Sequence, residues 1–165
     1  MKRPDGIVYV DGASLGNPGE GGAGVVLKDP GGRLIFQCGE YLGRVTNNVA
    51  EYKALIRGLQ EARRRGWERI LVLTDSQLVA RQVEGTYKVR DEELKRLHEE
   101  VKGLLEGFTS WEVKHIPRDL NREADRMAKE AAGGAAGQVV AGPKRGQRKV
   151  RAPEGRTVAN GDCPQ

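Results

Sequence analysis

Gly6–Ser14, GIVYVDGAS, and Ile70–Gln77, ILVLTDSQ, are the stretches whose reading decides the fold. Each is a short apolar run ending at an aspartate, Asp11 in the first and Asp75 in the second. Such runs read as buried strands of an α/β sheet, and open α/β sheets gather their sites at the C-terminal ends of their strands. Side chains alternate with period 2, so Ile7, Tyr9 and Asp11 share one face, as do Leu71, Leu73 and Asp75. If the two strands are parallel neighbours, roughly 5 Å apart, their terminal carboxylates can share one hard cation and help hold a second. Crowded anionic oxygens repel one another, and a divalent metal relieves that repulsion.

Working outward, DGASLGNPGEGG after Asp11 reads as a turn punctuated by glycine and proline, followed by the β-like runs AGVVLKD and RLIFQCGEYLG on either side of PGG. Three antiparallel strands are the natural reading. From Asn48 to about Arg65, Val49, Tyr52, Leu55, Ile56 and Leu59 recur at helical spacing, and Gly66 supplies a stop. The strand 70–74 leads to a short helix with Leu78, Val79 and Val83 on one side, then to a helix at about 91–106 carrying Leu94, Leu97, Val101, Leu104 and Leu105. WEVKHI is a further strand, and a last helix runs from about Asn121 to Ala132. The order is βββαβααβα, an α/β fold with a mixed five-stranded sheet flanked by helices.

The chain of 165 residues is long enough for one domain with a core and short for two. We place that domain at residues 1–133 and a basic, disordered tail at 134–165, where few large apolar residues are available to offset the entropy of ordering. The net charge of +5 is uneven, because the tail holds six Lys/Arg against only Glu154 and Asp162. A basic tail on a near-neutral body favours a polyanionic partner. The two cysteines, Cys38 and Cys163, are far apart and lack metal-ligand spacing, so a disulfide framework is not expected; Cys38 reads as a buried strand residue and Cys163 as an exposed thiol. No run approaches the roughly 20 apolar residues of a membrane span, and the N-terminus has too short an apolar stretch for a signal peptide. A monomeric protein of a reducing cytoplasm is the expectation.

Four blocks, VDGASLGNPG, TNNVAEYKAL, LTDSQLV and HIPRDLNREADRMA, stand in this order across residues 5–132. In sequence and spacing they resemble the type 1 ribonuclease H family. The resemblance implies a ribonuclease H-like fold and a metal-dependent endonuclease that hydrolyses the RNA strand of RNA/DNA hybrids, leaving 5′-phosphate and 3′-hydroxyl ends. It further implies that Asp11, Glu51, Asp75 and Asp125 are the metal-binding, catalytic carboxylates. Gly12, Ala13, Ser14, Asn17, Asn48 and Gln77 match family positions near the RNA strand, and Thr46 and Asn47 match a pocket for a DNA phosphate. Some family members carry a basic, Trp-bearing protrusion, whereas VEGTYKVRDEELKRL here runs directly onward.

The chemistry agrees with the resemblance. Two Mg²⁺ ions, typically about 4 Å apart, make a water nucleophilic and stabilise the leaving oxygen in phosphodiester hydrolysis. Mg²⁺ takes oxygen ligands and retains waters, so four carboxylates suffice without His or Cys, and Mn²⁺ is a possible substitute. The 2′-hydroxyl distinguishes RNA from DNA, and amide and hydroxyl side chains bind sugar and phosphate without reading bases.

Taken singly, each acid has an ordinary account. Asp11-Gly12 is a turn dipeptide, Asn48 and Glu51 have capping-box spacing, Asp75 can cap the next helix, and Asp125 suits a helix's first turn. These accounts leave unexplained why two acids end apolar strands while the other two begin helices in recognisable blocks. His115 lies at a strand end and reads as a packing or hydrogen-bonding residue, and His98 as a helix-face residue. Arg118, in the short PRDL loop, is placed to approach a phosphate. A non-catalytic hybrid-binding module and a resolvase- or integrase-like DNA nuclease of the same fold are the alternatives.

Overall fold

A computed structural model of the chain describes residues 3–134 and 139–141. The first three strands, β1 (Gly6–Gly16), β2 (Gly19–Lys28) and β3 (Leu34–Val45), form an antiparallel meander. Helix α1 (Asn47–Arg64) then crosses to β4 (Arg69–Thr74), which pairs in parallel with β1. Helices α2 (Gln77–Glu84) and α3 (Glu92–Leu105) lead to β5 (Ser110–His115), parallel to β4. A single 3₁₀ turn (Arg118–Leu120) and helix α4 (Arg122–Gly133) follow. The strand order is β5-β4-β1-β2-β3-β6.

The five expected strands are present. The sixth, β6 (Val139–Ala141), pairs antiparallel with Cys38–Glu40 of β3, so the segment expected to be a disordered tail contributes a short strand. The rest of that tail, including Cys163, lies outside the described residues. Cys38 is fully buried in β3 and, unlike the expectation of unpaired cysteines, is not a free thiol.

Helices cover both faces of the sheet. Val8 and Val10 of β1, Val25 of β2 and Val72 of β4 are buried in the core cluster with Tyr52, Leu55 and Leu59 of α1, and α3 packs against the outer side of α1. On the opposite face α4 lies alone across β1, β2 and β3. Its buried residues, Ala124, Met127, Ala128, Ala131 and Ala132, are small apart from the methionine, and they meet glycines of the sheet. A Cβ at Gly24 would stand 2.1 Å from the Ala124 carbonyl oxygen, so this strand is built to let α4 approach closely.

That packing explains the largest departure from the sequence reading. The glycines of DGASLGNPGEGG suggest a long turn, but β1 continues to Gly16 and β2 begins at Gly19, with the hairpin paired throughout. Most of those glycines are strand residues selected by close neighbours. Asp11 therefore lies within β1 rather than at its end.

Candidate active site

What ends at Asp11 is the pairing of β1 with β4. The last paired residues are Val10 and Thr74; β4 stops there while β1 runs on beside β2. The next residue on each strand is an aspartate, so Asp11 and Asp75 project side by side over the vacated edge of β1. The shared pleat inferred from the sequence is the one the register gives, with Ile7 opposite Leu71 and Tyr9 opposite Leu73.

Glu51 arrives from the second turn of α1. The capping box expected for Asn48 and Glu51 does not form: the helix begins one residue earlier and Thr46 is its cap, its hydroxyl accepting from the Val49 N–H at 3.2 Å. Released from capping, Glu51 Oε1 accepts the Gly12 N–H at 3.1 Å, joining α1 directly to the strand that carries Asp11. Gly12 allows this approach, because a Cβ there would fall 2.2 Å from the Ala50 carbonyl carbon. Asp75 does not cap α2 either; Ser76 does so, accepting from the Val79 N–H.

One carboxylate oxygen from each of Asp11, Glu51 and Asp75 lies within 4.8 Å of the others. Asp11 and Glu51 are buried, at 3% and 6% exposure. Burial first, then the charges of Glu51 and Asp75, push the Asp11 carboxyl far above the ordinary carboxylate range. Glu51 is raised by burial and by Asp75, although the Gly12 N–H bond works in the opposite direction. Asp125, in the first turn of α4, stands close enough to raise the Asp11 carboxyl further. Three of the four carboxylates expected from sequence are thus brought together by β1, α1 and the end of β4, and α4 carries the fourth, Asp125, beside Asp11.

This cluster fits a divalent cation. Its donors are all hard oxygens, as Mg²⁺ requires, and Asp75 Oδ2 is buried without a hydrogen bond. The cationic side chains beside it approach from the rim: Arg118 Nε is 3.9 Å from Asp75 Oδ2, and Lys129 Nζ is 3.2 Å from Asp125 Oδ2. Both cationic side chains are more than half exposed, so neither neutralises the buried acids fully.

The expected substrate residues surround the cluster in two groups. Asn17, Thr46, Asn47 and Asn48 are exposed where the β1–β2 turn meets the start of α1, and the Asn17 Oδ1 accepts the Asn47 N–H at 2.9 Å. Ser14 Oγ, half-buried beside them, donates to the backbone oxygens of Val45 and Gly16. Ala13 is half-buried on β1, while Gln77 is exposed at the start of α2 on the β4 side. Arg118 completes the rim. Several of these polar groups therefore already serve the fold: Thr46 as a helix cap, Ser14 and Asn17 as ties across the β1–α1 corner.

His115 is exposed at the end of β5 rather than packed, contrary to expectation. His98 is half-buried, its Nε2 3.0 Å from the Gln82 carbonyl oxygen and its ring edge-on to Tyr52. The sequence marks Asn121 only as a helix start. In the structure it is 1% exposed and its Nδ2 donates to the Val10 carbonyl oxygen at 3.0 Å.

A family model described as reverse transcriptase-like matches residues 9–131. The ribonuclease HI of Halobacterium salinarum is 43% identical over 123 residues, which is 74% of this chain; the chain spans 62% of the length of that relative. The crystal structure of RNase H1 from Halobacterium salinarum superposes with a TM-score of 0.75 at 42% identity, covering 76% of this chain and 96% of that one. LC11-RNase H1, solved in complex with an RNA/DNA hybrid, superposes with a TM-score of 0.74 at 38% identity, covering 77% and 96%. The matched span contains all four carboxylates and every element from the middle of β1 to α4. The chain belongs to the reverse transcriptase-like family and, within it, to the type 1 ribonucleases H.

Proposed function

We propose that this protein is a metal-dependent endoribonuclease that cuts the RNA strand of RNA/DNA hybrids, leaving 5′-phosphate and 3′-hydroxyl ends. The observation that carries this reading is the convergence of Asp11, Glu51 and Asp75 within 4.8 Å on the vacated edge of β1. Three mutually repelling acids, two of them deeply buried, are costly for a fold unless a cation is to be held there. A module that only binds hybrid has no use for that arrangement.

Asp11, Glu51 and Asp75 would hold the metal, Mg²⁺ by the donor set or Mn²⁺ in its place, with Asp125 completing the site. When bound, two such ions supply an activated water and stabilise the departing 3′-oxygen. The chain's own groups do the rest. The Gly12 N–H fixes the Glu51 carboxylate, and β1 and β4 fix Asp11 and Asp75. The exposed amides of Asn17, Asn48 and Gln77 and the backbone of Gly12–Ser14 are suited to the RNA sugar-phosphate, Thr46 and Asn47 to a DNA phosphate, and Arg118 to a phosphate near the metals. Among the described residues no helix is long and apolar enough to cross a membrane, and we infer a cytoplasmic monomer acting on a duplex partner.

Purified protein incubated with end-labelled RNA/DNA hybrid, double-stranded DNA and double-stranded RNA, with Mg²⁺ or with EDTA, tests the reading. Cleavage confined to the RNA of the hybrid, abolished by EDTA, is the expected result. Binding of hybrid without cleavage would leave a binding module, and cleavage of DNA would favour the resolvase-like alternative.

A further inference from the structure

We propose that Asn121 is a positioning residue that sets the distance between Asp125 and Asp11; the proposal rests on the hydrolase reading above. Asn121 occupies the N-cap position of α4, where an asparagine normally turns its side-chain oxygen onto a backbone N–H of the helix's first turn and so stabilises it. Here it makes no such bond. Its side chain instead points into the sheet, and Nδ2 donates to the carbonyl oxygen of Val10, 111 residues away in sequence. Val10 is the last β1 residue paired with β4, and it immediately precedes Asp11. The backbone oxygen of Asn121 accepts the Asp125 N–H at 3.0 Å. One residue therefore grips the strand next to one acid and the amide of the other.

The arrangement is a poor choice for stability alone. Asn121 is 1% exposed and its Oδ1 has no hydrogen-bond partner, a buried acceptor left unsatisfied at a net cost to folding. The cap is forgone as well. What the geometry secures is register: α4 enters over β1 at a fixed height, and that height sets where Asp125, one turn into the helix, stands relative to Asp11. The Lys28–Glu123 ion pair, 2.9 Å between β2 and α4, is more exposed and cannot fix that height alone.

Single-turnover and steady-state cleavage of a labelled hybrid would be compared for the wild type, Asn121→Ala, Asp125→Asn and the double variant, using full-length protein. Asn121→Leu serves as a second probe, because it fills the same space without either polar atom. We expect Asn121→Ala to lower kcat about tenfold, as outer-shell partners of a metal site do, with KM for the hybrid unchanged within about twofold. In the Asp125→Asn background the same change should cost less than about twofold, since the two residues act as one unit. Calorimetric titration of Mg²⁺ without substrate gives a readout independent of turnover, in which the weakening caused by Asn121→Ala should likewise vanish once Asp125 is neutralised. Equal losses in both backgrounds, in kcat or in metal affinity, would overturn the proposal. So would failure of both the Ala and Leu variants to fold, which would make Asn121 a structural residue. Wild-type protein inactive on every hybrid would sink the hydrolase reading but leave the calorimetric comparison valid.

Discussion

Asp11 and Glu51 are held where neither ionises freely, and this makes the metal-free protein strained in a pH-dependent way. Both carboxyls are raised above their ordinary values. A group whose folded pKa is raised contributes stability that is complete below its unfolded value and is lost as pH rises toward the folded one. Metal-free stability should therefore fall from about pH 4 upward, through about 8 for Glu51 and on to about 10 for Asp11. Asp11→Asn removes the charge at constant size, so at pH 8 it should raise the melting temperature of EDTA-treated protein, and at pH 4 leave it nearly unchanged. A gain of about 1 kcal/mol corresponds to roughly 2–4 °C for a domain of this size. No gain at pH 8 would mean that the cluster is already relieved by Arg118 and Lys129. Asp75→Asn should reduce hybrid cleavage by on the order of 10³-fold or more, as when one member of a concerted group is removed, with the circular dichroism spectrum unchanged. Wild-type-like turnover in Mg²⁺ would refute the metal site. Arg118→Ala should lower turnover several-fold with little change in melting, because its side chain is 72% exposed and its link to Asp75 is long.

At the scale of elements, the site exists because β4 is short and β1 is long, and because α1 can press onto β1. That approach depends on Gly12. A methyl group there would collide with the backbone of Ala50 and Glu51 at 2.2 and 2.3 Å, atoms that cannot rotate away. Gly12→Ala should force α1 outward, costing about 2–3 kcal/mol, and cleavage should fall further than stability because Glu51 moves with the helix. Thr46→Ala is the control: it removes the same helix's cap for about 1 kcal/mol and leaves the β1–α1 packing in place. Thermal melts and single-turnover rates measured in parallel separate the two. If both variants lost stability and activity in the same proportion, the close approach at Gly12 would have no special role.

For the whole molecule, residues 1–133 carry the four candidate site carboxylates and the core, while β6 extends the sheet from the far edge, on β3 and away from β4. We expect protein truncated after Gly133 to fold and to cleave hybrid with metal. The six cations of the removed segment could each release counterions on meeting a phosphate. Truncation should therefore raise KM and flatten the dependence of hybrid affinity on salt, by up to roughly 0.9 in log–log slope for each phosphate no longer neutralised. Affinities of full-length and truncated protein measured on one hybrid across a salt series decide the matter. Identical slopes would leave the segment without an electrostatic role, and loss of folding would place the domain boundary beyond β6.

The class of fold, the order of elements as far as α4 and the four candidate acids are legible in the residues alone, because these depend on local signals. Apolar runs of strand length, helical spacing of Val49, Tyr52, Leu55 and Leu59, and an aspartate after each of two runs are all properties of neighbouring residues. Tertiary structure decided what depends on the meeting of distant segments. Glycine is ambiguous locally, since it serves turns and close packing alike, and only the approach of α1 at Gly12 and of α4 at Gly22 shows that DGASLGNPGEGG is largely strand. Thr46 rather than Asn48 caps α1, and Glu51 is turned to the Gly12 amide, 39 residues away. Asn121 has the local marks of an ordinary helix cap, and only the fold brings Val10 to its side chain. A carboxylate can be found from its flanks, but its burial, its neighbours' charges and the backbone that aims it come together only in the folded chain.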